Sequence, residues 1–144
     1  MQVQFYESNT VEDSLLKFAV IFAKYQGMDI YVRHKARRTW EIPGGRRELN
    51  EAIDETARRE LYEETGARSF SMIPLSIYSV THDGSEESFG ALYYSEVTEI
   101  GELMSDSEIG EICFLNELPE ELTYPAIQPE LYRRALKELS RGIG

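Results

Sequence analysis

Residues 44–67 read Gly-Gly-Arg-Arg-Glu-Leu-Asn-Glu-Ala-Ile-Asp-Glu-Thr-Ala-Arg-Arg-Glu-Leu-Tyr-Glu-Glu-Thr-Gly-Ala, and this stretch predicts a glycine turn followed by a helix. Within it, Ile53, Ala57 and Leu61 recur every four residues, which is the spacing of an apolar stripe on one helix face. The helix is therefore expected over Glu51–Thr65, with its stripe turned toward a hydrophobic core.

Both ends of this helix carry residues that commonly cap helices. Asn50 precedes the helix, and its side-chain oxygen can accept from the free backbone N–H groups of the first turn, so Asn50 is the expected N-cap. Gly66 follows the last apolar position and suits the left-handed conformation found at helix C-termini. The sequence thus bounds the helix on both sides.

Three carboxylates crowd onto one face of the same helix. Glu60, Glu63 and Glu64 stand at positions i, i+3 and i+4, and Glu64 projects between Ile53 and Ala57, into the stripe that should be buried. Mutual repulsion, burial and the negative end of the helix dipole all disfavour charge there. A divalent cation would offset these costs, because Mg²⁺ prefers hard oxygen ligands. The plainer alternative is a solvated acidic face.

The fixed offsets of glycine, arginine and glutamate in this stretch match a long motif. The pattern is Gly, five residues, Glu, seven residues, and then Arg-Glu-aliphatic-any-Glu-Glu-any-Gly-aliphatic, which resembles the signature of the Nudix hydrolases. The matching residues are Gly45, Glu51, Arg59, Glu60, Leu61, Glu63, Glu64, Gly66 and Ala67.

The resemblance implies a metal site on the helix. Glu60, Glu63 and Glu64 would be its carboxylate ligands, and the backbone carbonyl of Gly44 or Gly45 would be a further ligand. Glycine suits this place because it lets the main chain approach a metal closely. The implied ion is Mg²⁺, with Mn²⁺ as the alternative.

The resemblance also implies two supporting carboxylates. Arg59 would hold Glu51, which makes Glu51 a positioning residue first and a metal ligand second. The extra glutamate of MutT-like members, a ligand or general base, corresponds to Glu111, with Glu108 as the next candidate. A solvated carboxylate at a strand end is the alternative for Glu111.

Two groups of basic residues are the expected phosphate contacts: the cluster Arg33, Lys35, Arg37 and Arg38, and the pair Arg46 and Arg47 beside the glycines. Arg33 lies where MutT-like members carry a phosphate-binding arginine at a strand end, and Arg46 and Arg47 follow the glycines directly. Ordinary surface charge, or charge balance for nearby acids, is the alternative for all of these residues except Arg33.

Composition and net charge limit the kinds of molecule that the protein is expected to bind. A chain of 144 residues is expected to form one domain over residues 1–144. The net charge of −11 disfavours duplex nucleic acid and anionic membranes, so a small nucleotide is the expected partner of a monomer or homodimer. With one cysteine, Cys113, and no signal-like N-terminal segment, a cytoplasmic location is expected.

Hydrophobic patterns predict strands on both sides of the central helix and a second helix near the C-terminus. The expected elements are strands at 2–7, Lys17–Tyr25, Ile30–His34, Ser69–Val80, Ser88–Val97 and Glu111–Leu115, a helical turn at Leu118–Leu122, and a helix at Gln128–Ser140. The inward residues of that last helix are expected to be Leu131, Ala135, Leu136 and Leu139. The expected fold class is α/β, a mixed β-sheet sandwiched between helices (an α/β/α sandwich), which the resemblance also implies.

The expected function is Mg²⁺-dependent hydrolysis of a phosphoanhydride in a nucleoside diphosphate derivative, most simply a nucleoside triphosphate to the monophosphate and pyrophosphate. Alternative substrates are ADP-ribose, a dinucleoside polyphosphate and the triphosphorylated end of RNA. A nucleotide-sensing domain without hydrolysis is an alternative of another class. The segment Pro125–Gln128 departs from the one that reads an oxidised guanine in MutT-like members, and base preference is not predicted.

Overall fold

The structure is a computed structural model that describes residues 1–142. It contains eight strands, two α-helices and a short 3₁₀ turn at Asp13–Leu15. In chain order the elements are β1 (Gln2–Tyr6), β2 (Leu16–Tyr25), β3 (Met28–His34), β4 (Gly44–Arg46), α1 (Ile53–Thr65), β5 (Ala67–Phe70), β6 (Ile73–Thr81), β7 (Ser88–Ile100), β8 (Ile109–Leu115) and α2 (Gln128–Ser140).

The strands form one mixed sheet. Its order is β1-β6-β7-β2-β3-β8, and the short strands β4 and β5 pair with β2 and β7. The central pair, β2 and β7, is parallel, and the other pairings are antiparallel. A helix packs on each face, so the prediction of a mixed sheet between helices is confirmed.

The central strand β2 supplies side chains to both faces of the sheet, as alternation along a strand requires. Ala19, Ile21 and Ala23 belong to the hydrophobic cluster that also contains the α1 stripe. Val20 and Phe22 belong to the cluster that contains the buried side of α2. The two helices are therefore fixed on opposite faces of one sheet.

The start of α1 differs from the prediction. Asn50 adopts a left-handed conformation with φ of 63° and does not cap the helix, whose N-cap is Ala52. The side chain of Glu55 accepts from the Ala52 N–H at 2.9 Å and satisfies one free donor. The predicted stop is confirmed, because Gly66 has φ of 78°.

Three other predictions on local structure are corrected. The strand expected over Ser69–Val80 is interrupted at residues 71–72, and both halves pair with β7, which extends to Ile100 because β5 covers its end. Leu118–Leu122 forms no helical turn; Leu122 instead bridges to Trp40. Leu136 on α2 is exposed, although the bounds of α2 match the prediction.

The lengths and compositions of the two helices can be compared with what a membrane-spanning helix requires. Within residues 1–142, neither helix has the length and apolarity that crossing a bilayer requires.

Candidate functional site

A cleft of about 720 Å³ opens on the α2 side of the sheet. Part of its wall comes from the glycines of β4 and from the carboxylates of Glu60 and Glu64 on α1. Apolar and aromatic residues from β6 and α2 form another part of the wall, among them Tyr78, Val80 and Leu131. The cleft thus combines charged groups with an apolar surface, which is typical of a ligand site.

The glycine strand and the helix approach one another unusually closely. A Cβ at Gly45 would lie 1.7 Å from Oε2 of Glu60, and a Cβ at Gly44 would lie 2.5 Å from the carbonyl oxygen of Ala19. The Gly44 N–H donates to Oε1 of Glu64 at 3.0 Å. Both glycines are therefore required by space, and they bring main chain against the carboxylates of α1.

Arg59 forms hydrogen bonds with two glutamates and with the glycine strand. Its Nε and Nη2 bond the two carboxylate oxygens of Glu51 at 2.6 and 3.0 Å, and its Nη1 reaches Glu63 at 3.0 Å. Nη2 also donates to the carbonyl oxygen of Arg46, which ties the helix to the glycine strand. The contact with Glu51 is bidentate, a geometry that fixes both side chains.

Two buried carboxylates on α1, those of Glu60 and Glu64, have raised pKa values. Burial, followed by the charges of Glu63 and Glu108, raises the pKa of Glu60 to about 7, although Arg59 opposes the shift. Burial raises the pKa of Glu64 to about 8, against the Gly44 N–H, and the charge of Glu60 adds to it. Buried like charges therefore disfavour ionisation of both groups near neutral pH.

The donor set suits a hard divalent cation, because carboxylate and carbonyl oxygens are the ligands that Mg²⁺ prefers. Glu60, Glu63 and Glu64 supply the carboxylates, and the tight cradle at Gly45 puts main chain beside Glu60. In residues 1–142, no three acidic, histidine or cysteine side chains converge as a ready-made metal site. Instead, Nη1 of Arg59 contacts both Glu60 and Glu63, and the Gly44 N–H donates to Glu64.

Two residues near these carboxylates were not anticipated. Nε2 of His34 lies 3.5 Å from Oε2 of Glu64 and 3.6 Å from Oε1 of Glu41, and its Nδ1 lies 3.9 Å from Glu108. The sequence interpretation assigned His34 nothing and did not consider Glu41. One sequence feature could have indicated His34. It ends β3, and the glycine strand β4 is the next element in the chain.

Glu111 lies outside the cleft. Its exposed carboxylate pairs across β3 and β8 with Arg33, at 3.4 Å between Oε1 and Nε. Arg33 also bonds the carbonyl oxygen of Arg37 at 2.8 Å and does not line the cleft. Glu108, the second candidate, lines both the main cleft and a smaller acidic cleft of about 240 Å³ beside α1.

The three other arginines near the glycines differ in placement. Arg47 is held by Asp13, with 2.5 Å between Nη2 and Oδ2, and by the carbonyl oxygens of Leu16 and Glu51. Arg46 lines the cleft and stacks over the Phe18 ring. Arg37, which belongs to the basic cluster expected to contact phosphates, also lines the cleft, 2.6 Å from Glu41.

Comparisons with known proteins show the family to which the chain is similar. The model of the NUDIX domain matches residues 18–135. The chain is 31% identical over 108 residues to "Putative 8-oxo-dGTP diphosphatase YtkD" of Bacillus subtilis, covering 74% of this chain and 66% of the relative. It is 39% identical over 62 residues to an RNA pyrophosphohydrolase of Bartonella henselae, covering 43% of this chain and 36% of the relative.

A solved structure shares the whole architecture. The crystal structure of a pyrophosphohydrolase from Bacillus subtilis superposes with a TM-score of 0.79 at 24% identity, covering 99% of this chain and 93% of that one. By contrast, the chain spans about two thirds or less of the length of the two curated relatives. Since the NUDIX model covers most of the chain, this protein belongs to the Nudix family.

Proposed function

We propose that the protein is a Mg²⁺-dependent hydrolase of a phosphoanhydride in a nucleoside diphosphate derivative, and that it converts a nucleoside triphosphate to the monophosphate and pyrophosphate. One observation carries the proposal. The clustered carboxylates of α1 and the glycine strand lie at the wall of a cleft whose other wall is apolar and aromatic. Such a cleft offers one region for phosphates with their cation and another for a nucleobase.

In this proposal, Glu60, Glu63 and Glu64 hold Mg²⁺ together with a carbonyl oxygen of Gly44 or Gly45. The bound ion would neutralise phosphate charge and acidify the attacking water. Arg59 and Glu51 act as positioning residues, because their bidentate contact fixes the arginine that touches Glu63. The Gly44 N–H orients Glu64 in the same way.

Hydrolysis also requires a proton acceptor and cationic contacts for the phosphates. The oxygen of water bonds to phosphorus as the anhydride P–O bond breaks, pyrophosphate leaves, and the water proton passes to a carboxylate. Glu108 is the proposed acceptor because it lines both clefts, whereas Glu111 does not. Arg46 and Arg37 are the proposed phosphate contacts, since they are the permanently positive side chains among the described lining residues.

A second substrate class has one observation in its favour. The chain is similar over 62 residues to a protein named as an RNA pyrophosphohydrolase. The same cleft chemistry would then act on the triphosphorylated end of an RNA. The net charge of −11 weighs against this alternative, because RNA binding usually draws on an excess of basic residues.

The deciding experiment is product identification with Mg²⁺ across a substrate panel. The panel contains the common and oxidised nucleoside triphosphates, ADP-ribose, diadenosine polyphosphates and a short triphosphorylated RNA. We expect monophosphate and pyrophosphate from a triphosphate in the wild type. The same products should be absent with Glu64→Gln.

Glu55→Gln is the matched control for this experiment. Glu55 lies on the same helix but outside the cleft, and a glutamine can still accept from the Ala52 N–H. Its turnover should equal that of the wild type. Cleavage of ADP-ribose, a dinucleotide or RNA alone would move the substrate to that class. Nucleotide binding without any turnover would favour a sensing domain and reject the proposed hydrolase.

A further inference from the structure

Ser107 connects the C-terminal end of α1 to the segment that carries Glu108. Ser107 is only 8% exposed, although acidic residues precede and follow it in the chain. Its hydroxyl donates to the carbonyl oxygen of Glu63 at 3.1 Å. Among the hydrogen bonds of residues 1–142, this is the one that joins α1 directly to residues 102–109. The carboxylate helix and the segment of Glu108 thus meet through one hydroxyl group.

The carbonyl group of Glu63 needs a donor from outside the helix, because the last carbonyl groups of an α-helix have no intrahelical partner. The Ala67 N–H, four positions after Glu63, donates instead to Oγ1 of Thr65 at 3.1 Å. The Ser107 hydroxyl supplies the missing donor. Its buried position therefore follows from the way in which α1 ends.

The same hydroxyl also accepts a hydrogen bond from the residue after Glu108. The Ile109 N–H donates to Oγ of Ser107 at 3.2 Å. A serine hydroxyl has one proton to donate and lone pairs to accept with, so a single group can make both contacts. The residues before and after Glu108 are thereby tied to each other and to α1.

Strand β3 holds the main chain of Glu108 from another direction. The carbonyl oxygen of Glu108 accepts from the Lys35 N–H at 2.8 Å, and the buried Ile109 pairs with His34. The side chain of Glu108, by contrast, is 86% exposed. The main chain is therefore fixed, whereas the carboxylate is free to change rotamer at the border of the two clefts.

The Glu108 carboxylate lies close to two carboxylates of α1. Burial is the larger cause of the raised pKa values of Glu60 and Glu64, and the charge of Glu108 adds to both shifts. A proton acceptor must reach the attacking water directly or through one further water. A displacement on the order of 1 Å can lower a rate by about 100-fold. Turnover should therefore depend on how the segment of Glu108 is held against α1.

We propose that Ser107 is a positioning residue that holds Glu108 where it can accept the proton of the attacking water. This inference rests on the proposed function, and it adds the residue through which α1 sets the place of the acceptor. The Ser107 hydroxyl bonds only to main-chain groups, so it acts through Glu108. Its loss should appear in kcat, and only while Glu108 is present.

Ser107→Ala tests the proposal in the full chain, with Mg²⁺ and the common nucleoside triphosphates. We expect kcat to fall by at least about tenfold and KM to change by less than about twofold. In a Glu108→Gln background, which lacks the acceptor, Ser107→Ala should lower kcat by less than about twofold further. A contact that serves only the helix end would lower kcat equally in both backgrounds, and that result would overturn the inference.

Two further variants separate positioning from stability. Ser107→Thr keeps the hydroxyl and should restore kcat to within about threefold of the wild type. Ser76→Ala is the matched control, because the Ser76 hydroxyl is also buried, donates to the Tyr6 carbonyl oxygen at 2.9 Å and accepts from Nε of Arg134 at 3.2 Å. Ser76 lies outside the cleft, so this control should leave kcat unchanged.

The outcomes distinguish the inference from the proposed function. An unchanged kcat in Ser107→Ala, or a Glu108→Gln variant as active as the wild type, would reject the positioning role while the proposed hydrolysis stands. Absence of turnover in the wild type would overturn both. If Ser107→Ala does not fold, Ser107→Cys decides, because a thiol of similar size is a weaker donor. Its kcat should then lie below that of the wild type, and equal values would overturn the inference.

Discussion

Glu51 and Glu64 lie 13 positions apart in the same motif, and the fold moves their pKa values in opposite directions. The Arg59 guanidinium, with Thr56 and the Glu48 backbone, lowers the pKa of Glu51 to about 2 against the effect of burial. Burial and neighbouring carboxylates raise the pKa of Glu64 to about 8. The protein thus provides a cationic partner for Glu51, whereas for Glu64 we propose that a bound cation takes this role.

The opposite pKa shifts of Glu51 and Glu64 indicate that the two residues have different roles within one motif. Glu51 has a structural role, because each of its carboxylate oxygens accepts a hydrogen bond from Arg59. Glu64 accepts one backbone N–H and lies near His34, Glu41 and Glu60, and within residues 1–142 no arginine or lysine pairs with it. Mutations should therefore separate stability from activity along this stretch.

The largest effect is expected at Glu64. Glu64→Gln removes the charge that would hold Mg²⁺, so kcat should fall by at least about 100-fold, as for loss of an electrostatic group at a reacting centre. The melting temperature should not fall, because a neutral amide suits this buried place better than a carboxylate. Initial rates and thermal melting of the two proteins measure both quantities. A variant that kept most of its activity would remove Glu64 from the site.

The next effect is expected at Glu51. Glu51→Gln breaks the charge-assisted contact with Arg59, and the free energy of unfolding should fall by about 1–3 kcal/mol. Urea denaturation at pH 7 measures the change. Glu48→Gln is the control, since Glu48 is exposed and touches Arg59 only at 3.3 Å. Equal stability of the two variants would contradict the structural role given to Glu51.

The pH dependence of stability should show both carboxylate types in the metal-free protein. Glutamates of the unfolded chain titrate near about 4.3. Glu60 and Glu64 have raised pKa values of about 7 and about 8, so above pH 4.3 the folded state binds more protons and stability falls as pH rises through 7 and 8. The lowered pKa of Glu51 acts in the opposite sense, and its contribution is lost as pH falls toward about 2.

Urea unfolding with a chelator at pH 6 and pH 8.5 tests this dependence. The wild type should be less stable at pH 8.5. The decrease should be smaller in Glu64→Gln, which has one fewer group to ionise. An equal decrease in both proteins would mean that other groups control the dependence.

The smallest effect is expected from Mg²⁺ itself. A ligand at ten times its dissociation constant stabilises the folded state by about 1.4 kcal/mol. For a chain of this size the melting temperature should rise by roughly 3–5 °C. Scanning calorimetry with Mg²⁺ and with a chelator measures the rise, which should vanish in Glu64→Gln. A rise of the same size in that variant would point to a cation site elsewhere.

Local pattern predicted most of the fold. The stripe Ile53, Ala57 and Leu61 is buried as expected, and the bounds of α2 were predicted to the residue, because helical spacing is recorded directly in the chain. The N-cap was mispredicted, since Asn50 fits the composition of a cap but its backbone turns left-handed. The spacing of residues does not specify that turn.

The candidate site was predictable only where its residues share one element. Glu60, Glu63 and Glu64 follow from helical spacing, and Glu64 is buried, as its place in the apolar stripe requires. His34, Glu41 and Glu108 come from other segments. The pairing of β3 with β8 places Glu108 beside His34, and the bridge between Val32 and Glu41 places Glu41 there. Position in the sequence also could not show that Arg33 turns toward Glu111 while Arg37 lines the cleft.

The sequence by itself determined the helix, its carboxylate face, the glycines before it and the family to which the chain belongs. These features depend on neighbours along the chain, where periodicity and spacing act. The tertiary structure alone decided which carboxylate is paired, which arginines reach the cleft and which hydroxyl joins α1 to the segment that carries Glu108. Each of these depends on groups from distant segments, since Glu63 and Ser107 are 44 positions apart and meet only when the segment before β8 packs against the end of α1.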